Sequence, residues 1–246
     1  MKQYEAVIQT IEKLGGVATL GQLNQEVFKI EACKWETKTP FASIRRIVQT
    51  TKGIYKIKPG LYGLEKMRHI NEENGFMVET DKNRDSKAYL LFTHTYYQGL
   101  LLEVGNLRGL GTYSPHQDKN HRFSDGRRLS EISSLGGLPS FSYPHMVKRC
   151  STVDVVWING RGMPDSLFEV EHSTDIQNSL LKYSDLQDFN ARMVIVADKR
   201  RKEEYLQKIR CSAFGAISQR VHFLDYESLN AQYMQELAKK DFSFNL

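Results

Sequence analysis

Three cysteines are all this chain of 246 residues has, and Cys33, Cys150 and Cys211 lie far apart. None falls in a C-x-x-C spacing, which argues against both a disulfide framework and a zinc cluster and fits a reducing compartment. Long apolar runs are also missing: nothing approaches the ~18 consecutive residues that a membrane span needs. The opening Met-Lys-Gln-Tyr-Glu has no apolar segment of the secretory kind, so a cytoplasmic protein is expected. What remains is ordinary for a globular chain, 40% apolar and 26% charged, and long enough for one large domain or two modest ones.

The net charge of +5 is placed unevenly. Residues 1–66 hold 11 Lys and Arg against 6 Asp and Glu, while the remaining 23 basic and 23 acidic residues cancel. The first quarter thus carries the whole excess, which points to a polyanionic partner there.

Helical spacing in that quarter is clear. Tyr4, Val7, Ile8, Ile11 and Leu14 predict a first helix, stopped by Gly15-Gly16. Thr19 caps a second, short one. Pro40 suits the first turn of a third, with Thr39 before it and Ile44, Ile47 and Val48 as its apolar side. The other side presents Ser43, Arg45, Arg46 and Gln49, donors suited to phosphates and base edges. Two strand runs follow, Gly53–Ile57 and Leu61–Leu64, joined by Lys58-Pro59-Gly60. Three helices and a hairpin make a winged helix-turn-helix layout. The Gly-Gly before the second helix, T-P-x-x-S-I from Thr39 and K-P-G-L-Y-G-L from Lys58 together resemble the HARE-HTH winged-helix modules. That resemblance covers about residues 1–65 and implies double-stranded DNA as partner, with Ser43, Arg45, Arg46, Gln49 and Lys58 as contacts.

Residues 67–85 are polar and densely charged and are expected to be a linker between domains 1–66 and 86–246. A helix is predicted over Ala88–Leu107, ended by Gly105 or Gly109, with Glu103 on it as a candidate acid. Residues 111–150 read as loops whose basic side chains are suited to a DNA backbone; His121 and His145 receive no catalytic role.

The most informative stretch is T-V-D-V-V-W-I-N-G-R-G-M-P-D-S-L-F-E-V-E-H-S-T, Thr152 to Thr174. An apolar run with Asp154 near its start gives way to turn chemistry over Asn159–Ser166, then to a strand bearing Glu169 and Glu171. Residues two apart on a strand share a face, so a hairpin would gather three acids there. Taken alone, such acids also read as a solvated face. Further on come a helix capped by Thr174 or Asp175, an apolar strand Met193–Ala197, the cationic run Lys199-Arg200-Arg201-Lys202, another helix and a last strand from Val221. The expected fold is α/β, a mixed sheet flanked by helices behind the winged helix.

That order, with Asp154 and then Glu169-x-Glu171, resembles the PD-(D/E)xK nuclease superfamily, and F-E-V-E-H-S-T is similar to cores carrying F-E-x-E-x-S/T. The resemblance implies a restriction-endonuclease-like fold and hydrolysis of phosphodiester bonds in double-stranded DNA by a type II restriction endonuclease. It implies Mg²⁺, with Mn²⁺ as substitute, held by Asp154, Glu169 and the Val170 carbonyl, and Glu171 positioning or deprotonating water. No nucleotide cofactor or membrane is expected, and cutting two strands calls for a homodimer or a transient pairing of two chains. Glu171 stands where the superfamily carries lysine. Lys182 is a weaker candidate for that positive charge, and Lys199 and Arg200 for a phosphate grip. Two other readings stay open: a DNA-binding regulator whose nuclease-like core is inactive, and a nuclease directed to modified DNA.

Overall fold

In the computed structural model the chain divides into two compact units, Met1–Phe92 and Thr93 onward. The structure describes residues 1–243, with side chains through 239.

The first unit sets helices on a small antiparallel sheet. Helix α1 (Gln3–Lys13) buries Ala6, Val7, Thr10 and Ile11 and ends before Gly15 and Gly16, both at positive φ. Strand β1 (Val17–Thr19), which the sequence reading lacks, leads into α2 (Leu20–Glu26), capped reciprocally by Thr19 and Gln22. Helix α3 (Pro40–Thr50) turns Ile44, Ile47 and Val48 inward. Strands β2 (Ile54–Lys58) and β3 (Leu61–Leu64) complete a sheet in the order β1-β3-β2. The polar stretch beyond is part of this unit. It folds as α4 (Arg68–Glu73), where buried Asn71 donates to Gly16 O at 3.2 Å and Tyr55 Oη at 3.1 Å. Helix α5 (Lys87–Leu107) begins here and continues into the second unit.

The second unit is mixed α/β around a five-stranded sheet. Strand β4 (Gly111–Tyr113) is followed by the short helices α6 (Leu129–Ile132) and α7 (Pro144–Cys150), within a stretch expected to be loops. Then come β5 (Val155–Ile158), β6 (Pro164–Glu171), α8 (Ile176–Asp185), β7 (Arg192–Ala197), α9 (Lys202–Ile209), β8 (Val221–Asp225) and α10 (Tyr226–Ser243). The sheet order is β4-β5-β6-β7-β8; its first three strands are antiparallel, its last three parallel. Parallel neighbours need crossovers, and α8 and α9 supply them.

Alternation along the strands divides the core. Val156, Ile158, Leu167, Met193 and Ile195 pack with Ile176, Leu180 and Tyr183 of α8 and with Tyr205 and Ile209 of α9. On the opposite face Trp157 meets Phe168 and donates its indole N–H to Leu101 O of α5 at 3.0 Å.

One expectation needs correction, and another is narrowed to one of its two alternatives. The turn after β5 is shorter than Asn159–Ser166, because Pro164 opens β6 opposite Ile158 at a register shift, a place where a missing N–H is tolerated. Gly105 does not end α5: a Cβ there would lie 2.5 Å from Trp157 Nε1 and from Thr112 Cγ2, so the glycine is a contact surface. Gly109, at φ +72°, follows the helix.

Candidate active site

Asp154 stands one residue before β5. Since Val155 faces Phe168 in the antiparallel ladder, the next step outward sets Asp154 opposite Glu169. Glu169 and Glu171 share a face of β6 two residues apart. All three are withdrawn from water, with Asp154 9%, Glu169 2% and Glu171 4% exposed. They are not a solvated face.

Buried carboxylates at this spacing resist ionising together. Burial pushes the Asp154 carboxyl from its ordinary 3.8 up to about 6, against the pull of His94 and the Val170 amide. Burial raises Glu169 well above its ordinary 4.5, and repulsion from Asp154 adds to it; Lys182 acts the other way.

The compensating cation comes from α8. Lys182 Nζ is 2.9 Å from both oxygens of Glu169 and donates to Thr152 O at 3.1 Å. Its side chain is 23% exposed. Burial opposes its charge, but the carboxylates prevail and raise its pKa. Three features aim this helix. Asp175 accepts from Gln177 N at 2.9 Å at the N-terminus. The fully buried Tyr183 hydroxyl donates to Val194 O at 2.7 Å and Leu167 O at 3.2 Å, tying α8 to two strands. Ser179, one turn before, donates to Glu169 Oε2 at 3.2 Å and to Glu171. Thr174 caps the other oxygen of Glu171.

Helix α5 reaches the site with residues that the sequence reading did not select. His94 Nε2 lies 3.1 Å from Asp154 Oδ2, and Gln98 Nε2 donates to Asp154 O at 3.2 Å and to Asp118 Oδ2 at 2.8 Å. Val170 N–H donates to Asp154 Oδ2 at 2.8 Å. A histidine and a glutamine four apart on one face of a largely apolar helix were the available signal. Glu103 is nine residues from His94, on the opposite face of α5, where it pairs with Arg127.

The other selected residues are dispersed. Lys199 and Arg200 are exposed, and Arg200 folds back on Asp198 at 2.9 Å. The member of that run that touches the acid strand is Arg201, donating to Glu171 O at 3.1 Å and Thr174 O at 2.6 Å. In the first unit Arg45, Arg46 and Gln49 are exposed on α3, while Ser43 is half-buried and donates to Thr39 O at 3.3 Å. Lys58 is turned away from solvent, 6% exposed. Its ammonium sits 3.8 Å from the Tyr89 ring centroid and bonds the Tyr89 hydroxyl, because a lysine at this buried strand end finds an aromatic partner before it finds water.

Among the described residues no group of three or more His, Cys, Asp or Glu side chains forms a ready metal cage. Mg²⁺ does not require one, since it takes one or two carboxylates and keeps several waters. Asp154 and Glu169, facing each other across β5 and β6, are a pair of carboxylates of that kind.

The family model described as the type II restriction enzyme NmeDI C-terminal domain matches residues 77–243. The type II restriction enzyme NmeDI of Neisseria meningitidis serogroup C is 24% identical over 161 residues, which cover 60% of this chain and 44% of that protein. The chain therefore spans less than half the length of that relative. No solved structure matches. With its acid pair, helix-borne lysine and mixed sheet all inside the matched region, the chain belongs to the family defined by the NmeDI C-terminal domain.

Proposed function

We propose that this chain is a metal-dependent endodeoxyribonuclease of the type II restriction class, cleaving double-stranded DNA. The observation that carries the reading is the burial of Asp154, Glu169 and Glu171 together, with Lys182 clamped on Glu169. The arrangement suits the PD-(D/E)xK chemistry that the sequence resembles.

Asp154 and Glu169 would hold Mg²⁺, or Mn²⁺ in its place. When bound, the ion supplies Lewis-acid charge at the scissile phosphate and lowers the pKa of water. Lys182 brings a fixed ammonium to the same spot, offsetting negative charge as it builds on the phosphate oxygens. It takes the part that the superfamily gives to the lysine of its motif, arriving from α8 because Glu171 occupies the strand position. Glu171, oriented by Ser179 and Thr174, receives the proton of the attacking water.

The first unit acts as a winged-helix reader. Arg45, Arg46 and Gln49 of α3 meet the duplex, Ser43 stiffens the start of that helix, and Lys58 has an internal role. Two copies of the chain, one for each strand, complete a double-strand cut.

One experiment tests both halves. Mixed-sequence plasmid and phage DNA, modified and unmodified, is incubated with the full chain in Mg²⁺ and in EDTA. Glu169→Ala and Lys182→Met are expected to lose at least ~100-fold in cleavage while still binding duplex. Arg45→Ala with Arg46→Ala should flatten the salt dependence of binding by about one unit of log-log slope per lost phosphate contact. Cleavage by Glu169→Ala at the wild-type rate overturns the metal assignment, and an unchanged slope overturns the reader. Cleavage confined to modified DNA would redirect the substrate.

A further inference from the structure

One stripe of α5 is built to hold Asp154. His94, Gln98, Leu101 and Gly105 recur at intervals of four, three and four residues, a single face of an α-helix. At one end Leu101 O accepts the Trp157 indole N–H, and Gly105 lies against the same indole. That close contact allows little sliding of α5 along β5. At the other end the stripe delivers Gln98 to the backbone of Asp154 and His94 to its carboxylate.

Asp154 needs such a holder. It precedes β5, so no ladder bond fixes it. Its position is defined by three contacts: Gln98 on its carbonyl, and Val170 N–H and His94 Nε2 on its side chain. Both side-chain contacts fall on Oδ2. With Nε2 of His94 in its N–H form, two donors fill the two lone pairs of that oxygen, and Oδ1 accepts no hydrogen bond among the described residues. One oxygen is the anchor and the other is presented.

From this asymmetry we infer that His94 is a positioning residue, which turns Asp154 so that Oδ1 is the oxygen offered to a divalent cation. Without His94 only the Val170 amide holds Oδ2, and the carboxylate rotates about χ2, a soft torsion. The inference rests on the reading of Asp154 and Glu169 as the cation site. Residues that orient a ligand are worth about 10–100-fold in metal affinity.

The test is binding of Mn²⁺ alone to the full chain without DNA, followed through the loss of the free-ion electron paramagnetic resonance signal. His94→Leu is expected to raise the half-saturating Mn²⁺ concentration by about 10-fold or more, and His94→Gln, whose amide reaches Asp154, to recover most of that loss. Should the leucine variant fail to fold, His94→Asn, with an amide too short to reach, takes its place. A leucine or asparagine variant that binds Mn²⁺ as tightly as wild type overturns the inference. Asp154→Ala separates the two levels. If it binds Mn²⁺ normally, the acid pair is not the cation site and both readings fall. If it loses binding while the His94 variants keep it, only the role of His94 falls.

Discussion

At the scale of single residues the site trades stability for charge. A carboxyl raised by folding from 3.8 to about 6 binds its proton more tightly in the native state than in the unfolded one. The stability this contributes is complete below about pH 4 and is lost as the pH rises through about 6. Asp154→Asn keeps an acceptor for the Val170 amide and removes the loss. In EDTA at pH 8 that variant should therefore be more stable than wild type, by up to ~3 kcal/mol, with the difference closing below about pH 4. Urea midpoints across pH 4–8 check this; curves that stay parallel would mean that Asp154 titrates normally. The same scale shows why the sequence was only half legible here. Three acids at the right spacing could be read directly, since strand alternation sets which side chains share a face. Lys182 could not be weighed properly, because its approach to Glu169 depends on how α8 crosses the sheet. Tyr183 settles that crossing by bonding Leu167 O and Val194 O, two strands distant in the chain.

At the scale of elements, local signals were reliable wherever one segment decides the outcome. The Thr19 cap, Pro40 at the start of α3, and the apolar runs of β5 and β7 all lie as their residues dictate. Features decided by packing were not legible. Gly105 reads as a helix terminator until Trp157 is placed against it. His94, which the sequence reading did not select, gains a role only once Asp154 faces it. Helix α10 did carry a signal, Leu229, Tyr233 and Leu237 at intervals of four, with Asp225 accepting from Ser228 N at 2.8 Å. The α5–β5 contact carries its own prediction. Gly105→Ala puts a methyl 2.5 Å from the indole nitrogen and should destabilise by about 1–3 kcal/mol. The same variant should weaken Mn²⁺ binding, since lifting α5 withdraws His94 from Asp154. An unchanged melting temperature would show that the helix has slack.

At the scale of the whole molecule, the acid site lies within the region that the family model covers, while the excess positive charge lies in residues 1–66, all of which precede it. The two parts differ in kind: one presents exposed arginines, the other conceals carboxylates. The sheet of the second unit changes direction at β6, antiparallel to β5 and parallel to β7. This has a consequence in time. A hairpin closes within microseconds, whereas a parallel crossover must wait for distant segments to meet. In folding, Asp154 and Glu169 are expected to come together with the β5–β6 hairpin, before α8 and β7 dock and bring Lys182. That order predicts a stage at which the two acids meet before the ammonium of Lys182 arrives. Refolding in EDTA should slow several-fold from pH 5 to pH 8, and Asp154→Asn should abolish most of that slowing. Stopped-flow folding limbs with the same pH dependence in both proteins would place the arrival of the lysine earlier. On this account the order of assembly, and not only the final geometry, would make such a site favour acidic conditions or a cation while it forms.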